Sequence, residues 1–256
     1  MADATYVYCV VAAPRRPRIR VTAGLPGTGR VRFVDVDRGL WIAVADAPLA
    51  RYGERAINRS LSKVDWVSRA AVAHEAVVES FLQAAAAVLP MKMFTVFTSD
   101  ERAVAHVRVL RPRIDALIAR VKGRHEWSVR VVVAKASQIA KAAKTAKAAR
   151  GTTGVAYLAG KKQRRDAAQE LATRARETVA ALYDRLAARA RQAVRRTASD
   201  LPASGGPLLL DAAFLVPRGR TASFRQHVRR EARGLARLGY GLTLTGPWPP
   251  YSFVQD

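Results

Sequence analysis

The residues best placed for metal chemistry are His74 and Glu75, which open the pattern of a zinc-binding helix. In that pattern a second histidine follows four residues after the first, so that both imidazoles face one side of the helix. Val78 stands at that position here. The other histidines are scattered, with no cysteines or paired carboxylates at ligand spacing. The sequence therefore predicts no metal site, and His74 is either a core histidine with a hydrogen-bond partner or a buried contact for another protein.

Two further patterns that could support catalysis also have simpler explanations. The glycine-rich segment GLPGTGR (24–30) lacks the Gly-Lys-Ser/Thr of a phosphate-binding loop and does not join a strand to a helix. The acidic pairs Asp35/Asp37 and Asp100/Glu101 are typical of a turn and of the first turn of a helix, respectively. We therefore predict no catalytic residues, no cofactor and no enzymatic activity.

The charge of the chain is its most unusual bulk property. Lys and Arg number 44 against 20 acidic residues, a formal net charge of +24. Such a surface attracts polyanions such as nucleic acid or an acidic protein face. The alternative is a compositional drift towards Arg, since the bias runs through the whole chain.

The segment 135–154 concentrates part of this charge. Lys141, Lys144 and Lys147 recur every third residue in an alanine-rich stretch, which places them roughly along one side of a helix. No aromatic residues lie among them for base stacking, so any nucleic-acid binding would be sequence-independent and sensitive to salt. The alternative is a solvated insertion.

Length and composition indicate a globular protein. The 256 residues are 50% hydrophobic, enough for a substantial core and for two domains. No apolar run reaches the length of a membrane span. The single cysteine, Cys9, lies in a predicted buried strand and forms no internal disulfide. We expect a cytoplasmic protein.

The first half alternates strands and helices. The apolar segment 5–11 predicts a central strand buried on both faces. Segments 31–36 and 40–45 predict a hairpin, 65–88 an amphipathic helix ended by Pro90, and 91–97 another strand. Ser99 is the predicted N-cap of a helix that reaches about Lys122, in which Pro112 predicts a kink or a break near Leu110.

The second half predicts the order strand, long helix, strand, helix, strand, with the long helix over 162–198. Both halves are therefore α+β. We divide the chain into an N-terminal α+β domain (1–134), a basic insertion or linker (135–154) and a C-terminal domain (155–256).

The C-terminus carries Trp248, Tyr251 and Phe253 among three prolines. Proline lacks the N–H group needed inside a sheet, so we expect a rigid, extended tail. Three aromatic residues at a chain end favour docking, and we expect them to pack back on the body of the protein.

Several segments together resemble the gas vesicle GvpF/GvpL family. They are TYVYCVV, HEAVVESFLQAAAAVLPMKMFTVF, EWSVRVVV, GVAYLAGKK, LDAAFLVPRGRTASFRQHV and GPWPPYSFV. Two features depart from the family pattern: Met93-Phe94-Thr95 stands where Arg-Phe-Gly is common, and the net charge is unusually positive.

The resemblance implies a two-domain α+β fold whose C-terminal half is a modified ferredoxin-like domain with a long helix. It implies an accessory protein for gas vesicle assembly or nucleation, located in the cytoplasm at gas vesicles. The implied partners are the small shell protein GvpA and other accessory Gvp proteins, with no small-molecule substrate. The alternative function is a sequence-independent nucleic-acid-binding protein that uses the basic surface.

The basic surface suggests how a partner is attracted. Charges of one sign on an exposed helix raise the association rate with an acidic partner more than the affinity. We hypothesise that the long helix and the lysine-rich insertion steer an acidic patch of a gas vesicle protein, while apolar contacts decide affinity. The candidate contact residues are Arg185, Arg189, Arg196, Lys141, Lys144 and Lys147.

Overall fold

The computed structural model describes residues 3–19, 21, 23–134, 154–196 and 206–254. The chain forms two compact units, one of residues 1–126 and 247–256 and the other of residues 127–246. Each unit combines helices with an antiparallel sheet, which confirms the α+β class. None of the helices in the described ranges is both long and apolar enough to cross a membrane.

This division differs from the one proposed from sequence in two ways. The boundary falls between Glu126 and Trp127, inside a strand, rather than near residue 134. The last residues belong to the first unit rather than to the C-terminal domain. The boundary proposed from sequence lies where the composition changes, after the strand that contains Glu126 and Trp127 has ended. The structural boundary lies where the residues of this strand pass from one unit to the other, so the two boundaries do not coincide. The proposed insertion 135–154 lies outside the described residues except for Gly154.

The first unit is built on a sheet with the strand order β2-β3-β1-β4, in which β5 also pairs with β1. Its elements are β1 (Asp3–Ala12), β2 (Arg32–Asp37), β3 (Leu40–Pro48), α1 (Leu49–Tyr52), α2 (Glu54–Ser60), α3 (Val64–Glu79), β4 (Ala87–Pro90), β5 (Val96–Phe97), α4 (Asp100–Val109) and α5 (Arg111–Val121).

The strand β1 is the centre of this sheet. Tyr6, Tyr8, Cys9 and Val11 belong to the core cluster of this unit, and Val7 and Val10 are buried as well. The predicted central strand and the hairpin of β2 and β3 are therefore confirmed. Gly39 supplies the positive φ of 78° that the hairpin turn requires.

Of two helix predictions for this unit, one is confirmed and the other is wrong in its C-terminal part. Ser99 caps α4 by accepting a hydrogen bond from the Arg102 amide at 3.3 Å, and the break falls at Leu110, just before Pro112, as predicted. The helix predicted over 65–88 instead ends at Glu79. Ala87–Pro90 pair with β1, so strand pairing overrides the helix propensity of the alanine-rich segment before Pro90.

The second unit has the strand order β7-β8-β6-β9. Its elements are β6 (Arg124–Val133, shared at its start with the first unit), α6 (Gly154–Ala187), β7 (Gln192–Arg195), β8 (Leu208–Pro217), a 3-10 turn (Arg218–Arg220), α7 (Thr221–Arg237) and β9 (Tyr240–Trp248). The succession βαββαβ is that of a split βαβ, ferredoxin-like arrangement. In the first unit, α8 (Tyr251–Val254) follows β9.

The long helix begins earlier and ends earlier than predicted. Residues 192–195, which the sequence analysis placed inside it, form β7 and pair antiparallel with β8. The helices α6 and α7 bury Val179, Leu182, Leu186, Phe224 and Val228 in the core of this unit. Residues 192–195 become a strand because they pair with the edge of β8. The helical periodicity of the sequence gives no sign of this distant pairing.

Candidate functional site

The basic surface of the second unit lies mainly on α6 and α7. Five arginines and one glutamate, Glu231, occur in the 17 residues of α7. Exposed basic residues also follow one another along α6 from Lys161 onward. The described part of this unit therefore presents a cationic face, but its arginines do not all serve the same purpose.

Arg185 is engaged inside the unit. Its Nε and Nη2 donate to the two carboxylate oxygens of Glu231 at 2.9 and 2.8 Å, which joins α6 to α7. These bonds hold the pKa of Glu231 below its usual range. His227 Nε2 lies 3.3 Å from the same carboxylate. A bidentate pair of this kind fixes the two helices relative to each other.

Arg196 is engaged with a buried acid, Asp211, through a single oxygen. Its Nε and Nη2 lie 2.9 and 2.6 Å from Oδ1 of Asp211, and Arg130 Nε lies 3.1 Å from Oδ2. The Asp211 side chain is only 5% exposed. A carboxylate removed from water needs such partners, so Arg196, directly after β7, stabilises the buried Asp211 of β8.

Arg185 and Arg189 are both exposed, whereas Arg196 is half-buried. Burial, and then the positive charge of Arg189, lower the pKa of His227. Lys141, Lys144 and Lys147 lie outside the described residues. Of the six candidate contacts, Arg189 is therefore the one described residue that is exposed and makes no hydrogen bond to a carboxylate of the described residues.

The C-terminus packs on the first unit. Phe253 is buried and Tyr251 packs against the core around β1. Trp248 is half-buried. Burial raises the pKa of the Tyr251 hydroxyl. The segment is not an extended tail throughout, because Tyr251–Val254 form a helical turn and Pro247 lies inside β9. A proline is accepted there because β9 is an edge strand.

Glu126 anchors this segment. Its two carboxylate oxygens accept hydrogen bonds from the Ser252 amide and hydroxyl, both at 2.8 Å, and Glu126 is 2% exposed. Arg120 donates to the Phe253 carbonyl at 3.1 Å. Neither Glu126 nor Asp211 was expected from sequence to be a buried anchor. For Asp211 the available signal was a single acid inside an otherwise apolar strand, since such an acid must find donors when it is buried. The strand around Glu126 also holds Arg124 and His125, so it gave no such signal.

A cluster of buried polar rings lies in the first unit. The hydroxyl of Tyr6 is 2.8 Å from Nδ1 of His74 and accepts a bond from the Phe94 amide at 3.1 Å. The Tyr8 hydroxyl accepts from the Leu25 amide at 2.9 Å, and that of Tyr52 donates to the Pro26 carbonyl at 2.7 Å.

The electrostatics of this cluster suit a structural role. Burial lowers the pKa of His74 from 6.5 to about 4 and raises that of Tyr6. The imidazole is therefore neutral at pH 7, and the phenol keeps its proton. Among the described residues, no group of three His, Cys, Asp or Glu side chains is close enough to hold a metal ion.

A groove lies beside β9 in the second unit. It has a volume of about 300 Å³, and its walls come from α7, the start of β6 and β9. Trp127, Val228, Leu242 and Leu244 give it an apolar lining, and Arg225 and Arg229 stand beside them. The Arg225 guanidinium lies 5.7 Å from the centre of the Trp127 ring, within cation–π range.

Comparison with known proteins gives consistent matches. Residues 4–255 match the model of a family described as gas vesicle synthesis protein GvpL/GvpF. The chain is 30% identical to gas vesicle protein L of Streptomyces sp. (strain CB03234), covering 83% of this chain and 79% of that protein. It is 28% identical to gas vesicle protein L2 of Halobacterium salinarum, covering 100% of this chain and 93% of that protein.

Two solved structures share the fold. GvpF from Anabaena sp. PCC7120 aligns with a TM-score of 0.72 and 18% identity, covering 99% of this chain and 97% of that chain. GvpF from Microcystis aeruginosa aligns with a TM-score of 0.66 and 16% identity, covering 99% of both chains.

Loss of the C-terminal anchor should destabilise the first unit. Phe253→Ala removes a buried aromatic ring and should lower the free energy of unfolding by about 3–5 kcal/mol. Ser252→Ala removes one bond to a buried carboxylate and should cost about 1.5–3 kcal/mol. Urea denaturation followed by tryptophan fluorescence measures both. Removal of Gln255 and Asp256 alone is the length control. Unchanged stability in both substitutions would show that the segment is a free binding peptide.

Protonation of His74 should destabilise the protein in acid. Its pKa is about 4 when folded and 6.5 when unfolded, so between these values the unfolded state binds more protons. Stability should fall as the pH decreases from 6.5 towards 4, with a loss from this residue of about 2 kcal/mol by pH 5. His74→Gln keeps an acceptor for Tyr6 but does not titrate. The difference in unfolding free energy between parent and variant, measured from pH 7 to 4.5, should therefore change with pH; a constant difference contradicts the prediction.

Proposed function

Because the chain belongs to the gas vesicle synthesis protein GvpL/GvpF family, we propose that it is a non-catalytic assembly factor that binds the shell protein GvpA and other accessory gas vesicle proteins. Family membership gives the chain a role in gas vesicle formation. The observation that carries the proposal is the match over residues 4–255, which includes both compact units. We place its action at gas vesicles in the cytoplasm.

A binding role, rather than catalysis, is supported by the chemistry of the described residues. The polar cluster around His74 is buried and held by internal hydrogen bonds, and burial keeps the imidazole neutral and the Tyr6 phenol protonated. These groups lack the pKa values near neutrality that acid–base catalysis favours. Apolar and cationic surface on the second unit is instead suited to protein contacts.

The nucleic-acid alternative is less well supported than it was from charge alone. Arg185 and Arg196 form ion pairs with Glu231 and Asp211, so part of the positive charge stabilises the fold. The remaining cationic surface serves equally well to attract an acidic protein. Because membership of the GvpL/GvpF family favours protein partners, we propose the assembly role rather than nucleic-acid binding.

The assembly role can be tested by complementation. Deletion of the gene from a host that forms gas vesicles should abolish flotation and pressure-sensitive light scattering, and the parent chain should restore both. His74→Gln should restore them as well, because the proposal assigns His74 no chemical step. The tagged parent chain should also co-purify with GvpA or another gas vesicle protein. Normal vesicles without the gene, or the absence of any gas vesicle protein in the purified material, would contradict the proposal.

Electrostatic steering is best tested at Arg189. Reversal of Arg185 or Arg196 would place a glutamate beside Glu231 or Asp211 and disturb the fold. Arg189→Glu should slow association with an acidic gas vesicle partner and reduce its dependence on salt, with little change in dissociation. Arg59→Glu, exposed on α2 of the first unit, is the matched control. Surface plasmon resonance at several salt concentrations measures both rates; equal association rates and salt slopes for the two variants would exclude steering by Arg189.

A further inference from the structure

The two edges of the second sheet differ in a way that points to a binding role for one of them. One edge is β7, which is four residues long and carries Arg195. The other is β9, which has nine residues and no charged side chain. Among the described residues, no strand pairs with the outer edge of β9.

Such an edge is unusual because natural proteins protect edge strands. Short strands, charged side chains and prolines prevent an edge from pairing with another chain. The edge strand β7 has the first two of these features. In β9 the only such residue is Pro247, next to its end, so Tyr240–Leu244 offer a run of backbone without these protecting features. This segment is therefore able to accept an added strand.

The groove beside β9 supplies side-chain contacts for such a strand. Leu242 and Leu244 are half-buried on the wall formed by β9, and Val228 lies opposite on α7. Trp127 also lines the groove and is 3% exposed, so its ring forms part of the apolar wall that the occupant would meet.

The charge beside the groove defines the chemistry of the occupant. Arg225 and Arg229 lie one helical turn apart on α7 and flank the apolar lining. The one acid of α7, Glu231, is bound by Arg185 and does not balance them. An occupant with carboxylates complements this rim, whereas a basic one is repelled.

We propose that the groove between α7 and β9 binds an extended segment of a partner protein, which adds as a strand to the outer edge of β9. The segment inserts apolar side chains between Leu242, Leu244 and Val228, and its Asp or Glu side chains pair with Arg225 and Arg229. Main-chain hydrogen bonds contribute affinity, while the groove and its arginines select the sequence. The inference rests on the proposed function in taking the partner to be another gas vesicle protein.

A designed peptide tests the groove directly. The probe is a fluorescent peptide, Glu-Thr-Val-Thr-Val-Thr-Glu, which as a strand places both valines and both glutamates on one face. It should bind the full chain, and Arg225→Glu/Arg229→Glu should weaken binding by at least about tenfold. Arg55→Glu/Arg59→Glu, with the same spacing and charge change on α2, is the matched control and should bind as the parent does. Equal binding by the two double variants would overturn the inference.

Two further probes separate strand addition from charge attraction. Two methylated peptides are compared, one methylated at its odd-numbered and the other at its even-numbered backbone amides. Methylation removes N–H donors without changing side chains, and one of the two peptides should lose binding. If both methylated peptides bind as the parent peptide does, strand addition is wrong. Arg225→Gln/Arg229→Gln serves as a milder variant if the glutamate variant is unfolded by circular dichroism. A dimer of the parent chain that disappears in the groove variant would identify a second copy as the occupant and overturn the partner-segment inference.

Complementation separates failure of this inference from failure of the proposed function. If the parent chain restores gas vesicles and Arg225→Glu/Arg229→Glu does not, while Arg55→Glu/Arg59→Glu does, the groove is supported. If the groove variant restores vesicles as well as the parent does, the groove inference fails and the assembly role stands. If vesicles form without the gene, the proposed function itself fails.

Discussion

The hydrogen bonds between Glu126 and Ser252 are the constraint on which the organisation of the chain depends. The chain leaves the first unit after Glu126 and returns to it at Pro247, so the second unit is an excursion between two anchored ends. A carboxylate that is 2% exposed is tolerable only when donors satisfy it, and Ser252 supplies two at 2.8 Å. The helical turn of α8 presents these donors together and buries Phe253.

The arginine-rich composition follows two different physical rules in this protein. At Arg185 the guanidinium group acts as a rigid fork on both oxygens of Glu231, because its planar donors match a carboxylate. At Arg196 two donors meet one oxygen of the buried Asp211. At Arg225 and Arg229 the same group stands beside an apolar groove. The net charge of the chain therefore overstates the charge that a partner meets, since a share of it holds helices and strands together.

Strand pairing explains the main departures from sequence expectation. An alanine-rich segment predicted as helix contains β4, because Ala87–Pro90 complete the sheet next to β1. Residues 192–195 leave the periodic pattern of α6 and pair with β8. In both cases the alternative partner is distant in sequence, so local propensity gives no sign of it. The break at Leu110 and the cap at Ser99 were predicted correctly because both depend on neighbouring residues alone.

The sequence by itself determined the α+β class, the buried central strand β1, the β2–β3 hairpin and, through its motifs, the family. These depend on periodicity, turn chemistry and residue order, which are properties of the chain. Only the tertiary structure decided that Glu126 and Asp211 are buried anchors, that Arg185 and Arg196 are partly structural, and that β9 and α7 border a groove. Each of these results depends on contacts between residues far apart in sequence, and no local pattern specifies which distant residues meet.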